Sequence, residues 1–581
     1  YATTPTSMHL KDHDLFQIDE ESIRKLGAKD SEALTKLTIN LLEDLVEARN
    51  RLNQNPSNSS RPSGSMPPWE SGKTDTDTET KPPSDGDLKD VDDDNRTDSD
   101  APPKLPPTPK TDESDNASSS ESSKMPGRQP GSQGFGRTQK LSITKTIGHF
   151  VRECVICGCN NFTENRQIAW TAYEVVDLEY GDSGSPGVEL TNTKHIFYEA
   201  TCGCGHHNRE TPSRIAQAGD WSGVTLTEWR LVGPALASLI IYLSMEMRMS
   251  RRRVQLFFLD LFALKIAVGT IQNTIIESAA AVAPLEKEMV DNLLKETLMY
   301  ADETPHPEHG KNLWLWCFIT SATALFYVGH RTSEIFQILT EDGYDGWLMS
   351  DGYKVYRHFK KRLRCWAHLI RKARGLRDSL SPTERRYGVQ ILAIMEDELM
   401  QAVYRVREGG LASAHRSIIE EHRESLDILK ALCEKMAKSK LKKTSELGKE
   451  FLNDWDAIFR VLELPMLPLT NNEAEQRLRH WVLLRRISQG TRSAQGSRAL
   501  GLLASVITTC RLRLASPLHY IQDVIRLRRE GGTAPPLPPI PDSIRERLAP
   551  LSLKNHLPAS LVEHAVQCVD FDEGTDLAQA A

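Results

Sequence analysis

The chain has 581 residues, enough for three or four domains, with 72 Lys plus Arg against 79 Asp plus Glu and a formal net charge of −7. The acid is concentrated: residues 71–124 carry 15 acidic and 7 basic side chains and residues 1–70 carry 11 and 8, leaving residues 125–581 at +4. This mildly basic body permits a polyanionic partner. The longest mostly apolar run, Pro234–Met245, is far short of the roughly 20 residues a membrane-spanning helix needs, so no membrane partner is expected. Ten cysteines do not make a disulfide framework, because five of them crowd between Cys154 and Cys204; the pattern reads as metal binding in a reducing, cytoplasmic setting. Tyr1 is followed by no signal pattern, and the lack of a starting Met points to an N-terminus lying further back.

Residues 1–53 contain a coiled-coil pattern at 31–52, where Leu34, Leu37, Leu41, Leu45, Ala48 and Leu52 recur at steps of three or four. The stripe predicts homo-oligomer formation, with packing on the chain's own body as the alternative. Residues 54–140 are Ser, Thr, Pro, Asp and Lys with few aliphatics and read as a disordered linker. The run Asp92, Asp93, Asp94 reads as solvated tether. Residues 127–137, GRQPGSQGFGR, alternate arginine and glycine, which suits a minor-groove strand or a flexible connector.

Residues 141–215 hold the cysteine module. Cys154-x-x-Cys157 is one half of a zinc knuckle, and Cys202-Gly-Cys204 is the other. Cys204 is the simplest fourth ligand, His206 and His207 are substitutes, and Cys159 is spare. Residues 225–295 read as helices, through Leu236–Leu243, Val254–Leu264 and Thr270–Ala283. The junction carries Arg251, Arg252 and Arg253, so a DNA-reading helix-turn-helix is one reading and plain helical packing the other.

From residue 296 to 500 the pattern predicts a mixed-sheet α/β core. A first strand ends at Asp302–Glu303. A hairpin follows over Leu313–Thr320 and Ala324–Val328, then a helix over Thr332–Leu339, then a strand over Trp347–Met349 ending at Asp351. A helical insertion is expected at 376–465. A helix with Asn471–Asn472 at its N-cap follows, and residues 501–581 form a C-terminal helical segment and peripheral tail.

Three carboxylates share one chemical logic. Asp302 and Asp351 follow strands, and Glu475 lies in the first turn of a helix. Together they supply the hard oxygen donors that Mg²⁺ or Mn²⁺ takes while keeping open positions for water or phosphate. Two such ions, roughly 4 Å apart, suit phosphodiester chemistry. Asp302 and Glu303 are adjacent on a strand and point to opposite faces, so only one can join the site. The ten Lys and Arg at 354–377, among them Arg364, Arg371 and Lys372, come with no acid. The six Arg at 476–498, among them Arg477, Arg479, Arg485 and Arg486, do likewise. Both stretches read as a DNA-facing surface. Trp366 and Trp481 read as core residues with base stacking as the alternative. His368 reads as structural, with no catalytic role.

These motifs resemble, in order, those of the transposases of the bacterial insertion-sequence sixty-six family, whose large subunit is called TnpC. The matching segments are QNPSNSSRPS at 54–63, GRQPGSQG at 127–134, the cysteine module, ADETP at 301–305, SDGY at 350–353, CWAHLIRK at 365–372, NNEAEQRLR at 471–479 and PLHYIQDVI at 517–525. The second cysteine pair departs from the family's Cys-x-x-Cys spacing. The resemblance implies a DDE transposase with an RNase H-like core, in which Asp302, Asp351 and Glu475 hold divalent metal. It also implies double-stranded DNA partners (element ends and target) at the bacterial nucleoid, and accessory proteins of the same element. The alternatives are a metal-dependent nuclease without strand transfer and a non-catalytic zinc-containing DNA-binding protein derived from a transposase.

Overall fold

A computed structural model describes residues 20–52, 139–182, 184–336, 343–409 and 418–548. The expected linker, its Gly-Arg motif, the segment at 54–63, residues 337–339 of the expected helix and the end of the tail lie outside the described residues. Among the described residues, no helix is long and apolar enough to cross a membrane.

Two helices come first among the described residues, α1 (Glu20–Lys29) and α2 (Ser31–Leu52), the second spanning the expected coil. Ile39, Leu42 and Leu45 of α2 are exposed. The cysteine module is a sheet of β1 (Lys145–His149), β2 (Ile168–Tyr180), β3 (Val188–Thr201) and β4 (His207–Arg209). β2 and β3 form a long antiparallel hairpin, with β1 parallel and β4 antiparallel to β3. A small pair follows, β5 (Arg214–Ala216) with β6 (Thr225–Thr227).

Four helices come next: α3 (Pro234–Met245), α4 (Arg251–Phe262), α5 (Val268–Val282) and α6 (Leu285–Lys295). Nine of the twelve α3 residues are buried, as expected of a helix apolar on nearly every side. These helices do not stand apart as a separate module. Leu236, Ile240, Ile275 and Met289 share one hydrophobic core with Leu315, Cys317 and Phe326 of the following sheet. Ser250 caps α4, its hydroxyl accepting from the Arg253 N–H.

That sheet has five strands: β7 (Leu298–Glu308), β8 (Lys311–Ile319), β9 (Ala324–Gly329), β10 (Trp347–Ser350) and β11 (Arg362–Arg364). Their order is β11-β10-β7-β8-β9. β7, β8 and β9 are an antiparallel meander, while β10 joins β7 and β11 joins β10 in parallel. The first strand does not end at Asp302 as expected. It runs on to Glu308 through Pro305 and Pro307. β10 pairs with β7 only as far as Tyr300, so the later residues have an open edge. The Pro307 carbonyl points out from that edge to the Thr491 N–H, 3.0 Å away, so the prolines remove no ladder donor. Within the expected helix at 332–339, the described residues give a short 3₁₀ turn at Ser333–Phe336.

The insertion is helical: α7 (Trp366–Arg377), α8 (Pro382–Leu392), a π-helical stretch at Ala393–Met400, α9 (Gln401–Gly409), α10 (Arg423–Ala437), α11 (Lys442–Asn453) and α12 (Trp455–Glu463). It has its own core, from Trp366 through Met395, Leu432 and Phe451 to Leu469, so it begins about ten residues earlier than expected. The Trp366 N–H closes its neck on the Leu469 carbonyl at 2.9 Å.

The chain returns through α13 (Asn472–Ser488), α14 (Ala494–Leu512) and α15 (Pro517–Arg529). α14 belongs inside the sheet domain rather than to a separate segment starting at 501. Its Ser505 and Thr509 hydroxyls accept the N–H groups of Phe326 and Ala324 at 2.8 and 3.1 Å, sealing the free edge of β9. Gly501 permits this approach, since a Cβ there would meet the Phe326 carbonyl at 2.8 Å. The Pro-rich tail is also anchored, with Leu537 and Ile544 buried.

Candidate active site and metal centre

Asp302 lies on β7 two residues past the last β7 residue paired with β10, and Cys317 is its cross-strand partner on β8. Glu303 points the other way, as strand alternation requires. It accepts from Arg331 Nη2 at 2.6 Å and from the Tyr356 hydroxyl at 2.5 Å. Arg331 lies in turn over the rings of Trp314 and Tyr353, 4.1 and 3.8 Å from their centroids. Burial and Asp351 raise the Glu303 carboxyl to about 7 against these two donors. Glu303 is therefore part of the packing beneath the site.

Asp351 follows β10 directly, is buried, and has Oδ1 fixed by the Tyr353 N–H at 2.9 Å. Glu475 lies in the first turn of α13, which packs on β7 and β8. Asn471 occupies the N-cap position, but its side chain makes no cap. Its Nδ2 instead donates to the Ala301 carbonyl at 2.9 Å, tying the start of α13 to the residue before Asp302. Its own N–H points to Cys365 Sγ at 3.2 Å.

The electrostatics report how these elements converge. Desolvation drives the Asp302 carboxyl well above its ordinary range, and Glu303, Asp351 and Glu475 push it further in the same direction. Burial also raises the Glu475 carboxyl, but the His368 hydrogen bond and the charges of His368 and Arg371 outweigh it and leave Glu475 below its ordinary value. His368 Nε2 lies 2.9 Å from Glu475 Oε1. Among the described residues, the donor atoms crowded within 4.8 Å of one another here are those of Cys365, His368 and Glu475, and the two aspartates are not among them. Sequence reasoning gave His368 no catalytic role. The Cys365-x-x-His368 spacing at the start of a helix was the available signal, since i and i+3 share a helix face.

The basic stretches divide. Arg364 is a correction to the expected DNA surface. It is 1% exposed, on a strand, and ion-paired to Glu450 and to Asp454, the latter at 3.2 Å. Lys372 pairs with Glu450 at 2.6 Å. Seven of the ten cations at 354–377 (Arg357, Lys361, Arg362, Arg364, Lys372, Arg374 and Arg377) pair with carboxylates, four of these lying on the insertion: Glu396, Glu450 and Asp454, or beside it, Asp378. Arg485 is half-buried, bonded to Thr304 Oγ1 at 3.0 Å and to the Pro305 carbonyl. Arg251 is largely desolvated and bonded to Gln272 at 3.1 Å. Arg252, Arg253, Arg479 and Arg486 are exposed, while Arg371 and Arg477 are intermediate. Trp366 and Trp481 are both buried, as core residues.

In the cysteine module, Sγ atoms of Cys154, Cys157, Cys202 and Cys204 lie within 4.8 Å of one another. Cys154–Cys204 is 3.8 Å and Cys157–Cys202 is 3.5 Å. Tetrahedral Zn²⁺ with Zn–S of roughly 2.3 Å separates its sulfurs by about 3.8 Å, so the donor set fits zinc. His207 is engaged elsewhere, 3.1 Å from Glu199 Oε2. The backbone N–H of Cys157 lowers the Cys154 thiol to about 6 against its burial, which favours the thiolate.

Residues 230–499 match the model of the Transposase IS66 family. It is similar to two uncharacterized proteins of Sinorhizobium fredii. The protein y4jO is 29% identical over 181 residues, covering 30% of this chain and 50% of that protein. The protein y4qI is 25% identical over 273 residues, covering 41% and 48% respectively. The chain thus spans about half the length of the curated relatives it matches.

Proposed function

We propose that this chain is a DDE-type transposase that cuts the ends of an insertion sequence and joins them to target DNA. The observation that carries the reading is the buried Asp302 carboxyl, which feels the charges of two acids from distant parts of the chain, Asp351 and Glu475. Asp302 sits on the central strand, Asp351 at the end of its parallel neighbour and Glu475 on the helix packed on β7 and β8. A strand order of β11-β10-β7-β8-β9 around that central strand supports an RNase H-like core.

The donor set fits divalent metal. Asp302 is desolvated among carboxylates and accepts a hydrogen bond from the Glu303 N–H at 2.9 Å, so a cation would relieve its charge. Two Mg²⁺ or Mn²⁺ ions bound there would activate an attacking oxygen and stabilise the leaving one. Asp302 and Asp351 would hold them, and Glu475, oriented by His368, would complete the set. Asn471 keeps the helix of Glu475 against the strand of Asp302. Water attack on a phosphodiester frees a 3′-hydroxyl, and attack of that hydroxyl on target DNA exchanges one phosphodiester for another, so no external energy source is needed.

The four cysteines would hold Zn²⁺ and fold the module that grips DNA. The exposed apolar side chains of α2 suit pairing of protomers, and residues 225–295 would contribute DNA contacts through Arg252 and Arg253.

The test is incubation of labelled element ends with Mg²⁺ or Mn²⁺, scoring 3′ nicks and joined products. Asp351→Asn should abolish cleavage and keep end binding. Cleavage surviving in that variant would overturn the triad. Cleavage without joined products would favour a nuclease, and binding without cleavage in the unaltered chain would favour a DNA-binding protein.

A further inference from the structure

A cavity of about 400 Å³ opens between the segment leading into β11 and the helical insertion. Its lining includes Arg357, Lys360, Arg362, Lys430 and Arg460, against the acids Asp454 and Asp456. Asp454 is already shared by Arg357, Arg362 and Arg364 at 3.0, 2.7 and 3.2 Å. Arg460 is paired with Glu463. Lys360 and Lys430 are exposed, and among the described residues neither has an ion-pairing carboxylate; Lys430 has only the face of Trp455, 5.8 Å from the centroid. Arg362 is nine-tenths buried, and its Nη1 has no hydrogen-bond partner among the described residues. Cations outnumber acids here, and one guanidinium is held rigid by Asp454 with donor capacity left over.

The cavity is not an isolated surface. Arg364 links it to the catalytic loop: it shares Asp454 with Arg362 and lies so close to Gly352 that a Cβ there would be 2.5 Å from Arg364 Nη2. Gly352 follows Asp351. An ion-pair network therefore runs from the cavity to Arg364, which packs against the residue that follows Asp351.

We propose that this cavity is a second phosphate-binding site, taking a backbone phosphate of the DNA whose scissile bond lies at the carboxylate cluster. The proposal rests on the reading that the chain acts on DNA. Arg357, exposed and held through Nε by Asp454, provides fork donors suited to a phosphate, and the enclosed Arg362 adds its charge behind it. Lys360 and Lys430 provide mobile charge at the rim. The insertion, which supplies Lys430 and Asp454, thereby becomes part of the DNA grip rather than a spacer.

The experiment measures binding of a labelled duplex by the full zinc-loaded chain across a salt series. The variant is Lys360→Ala/Lys430→Ala, whose two side chains are exposed and make no ion pair that holds the fold. The expected result is weaker binding with a salt slope smaller by about 0.9, the contribution of one phosphate contact. An unchanged slope in the variant, with Asp351→Asn still abolishing cleavage, overturns the cavity and leaves the transposase reading standing. No duplex binding by the unaltered chain overturns both. Thermal stabilisation by inorganic phosphate alone that is lost in the variant, with duplex affinity unchanged, assigns the cavity to a free phosphate ligand and also overturns the proposal. Lys430→Glu should weaken binding beyond Lys430→Ala; equal affinity of the two counts against it.

Discussion

His368 Nε2 and Glu475 Oε1 lie 2.9 Å apart, joining the first turn of α7 to the first turn of α13 across 107 residues of sequence. The contact links the neck of the helical insertion to the proposed metal site. It also lowers the Glu475 carboxyl against the burial that raises it.

The first prediction concerns this pair. A carboxylate whose folded-state value is depressed contributes above its unfolded value and is lost as pH falls through the folded one. Removing His368 should raise the Glu475 value. In His368→Ala, the acid limb of the cleavage profile should therefore move to higher pH, with a loss of roughly tenfold at neutral pH. An acid limb that stays in place would show that His368 has only a packing role.

Asp302 gives the opposite sign. Its folded-state carboxyl is raised by burial first and by Glu303, Asp351 and Glu475 next. The folded state therefore keeps a proton that the unfolded chain gives up, and stability without divalent metal should fall as pH rises above the ordinary carboxylate range. Asp302→Asn should stabilise the chain in Mg²⁺-free buffer by about 1–3 kcal/mol and abolish further stabilisation by Mg²⁺. Thermal melts with and without Mg²⁺, without chelator so that zinc is retained, measure both effects. A melting temperature in Asp302→Asn that still rises with Mg²⁺ would argue against metal at this carboxylate.

Asp454 is predicted to be a stability hot spot. It sits between Arg357, Arg362 and Arg364, and Arg364 is 1% exposed. Asp454→Ala leaves the buried Arg362 without a counter-charge and Arg364 with Glu450 alone, and should cost about 3–5 kcal/mol. Urea denaturation checks the figure; a cost under about 1 kcal/mol would mean the network is solvated.

For the cysteine module, one zinc per chain is expected. Cys204→Ser should lose it, and His206→Ala should retain it, since the four sulfurs already complete a tetrahedral set. Metal analysis of the purified variants decides; retention in Cys204→Ser with loss in His206→Ala would exchange the two assignments.

Oligomeric state tests α2. The intact chain should be larger than a monomer by light scattering, and a variant lacking residues 20–52 should be smaller by whole protomers. A monomeric intact chain would leave Ile39, Leu42 and Leu45 as ordinary exposed side chains.

The local patterns of this chain were legible without a fold. The 31–52 helix, the hairpin after Asp302, the strand before Asp351 and the cysteine spacing all follow from short-range periodicity and ligand chemistry, which the amino-acid order encodes directly. Alternation along β7 likewise settled that Asp302 and Glu303 face apart. What the order of residues could not convey was charge pairing and shared burial at long range. Residues 354–377 look like an uncompensated cationic surface, and β11 is hidden inside them as Arg-Leu-Arg, because their counter-charges Glu450 and Asp454 arrive about 90 residues later. The same reason put α3 to α6 and α14 around one core with the sheet, and turned His368 from a bystander into the residue that holds Glu475. Coulomb energy and hydrophobic burial depend on distance in space, and only the folded chain sets those distances.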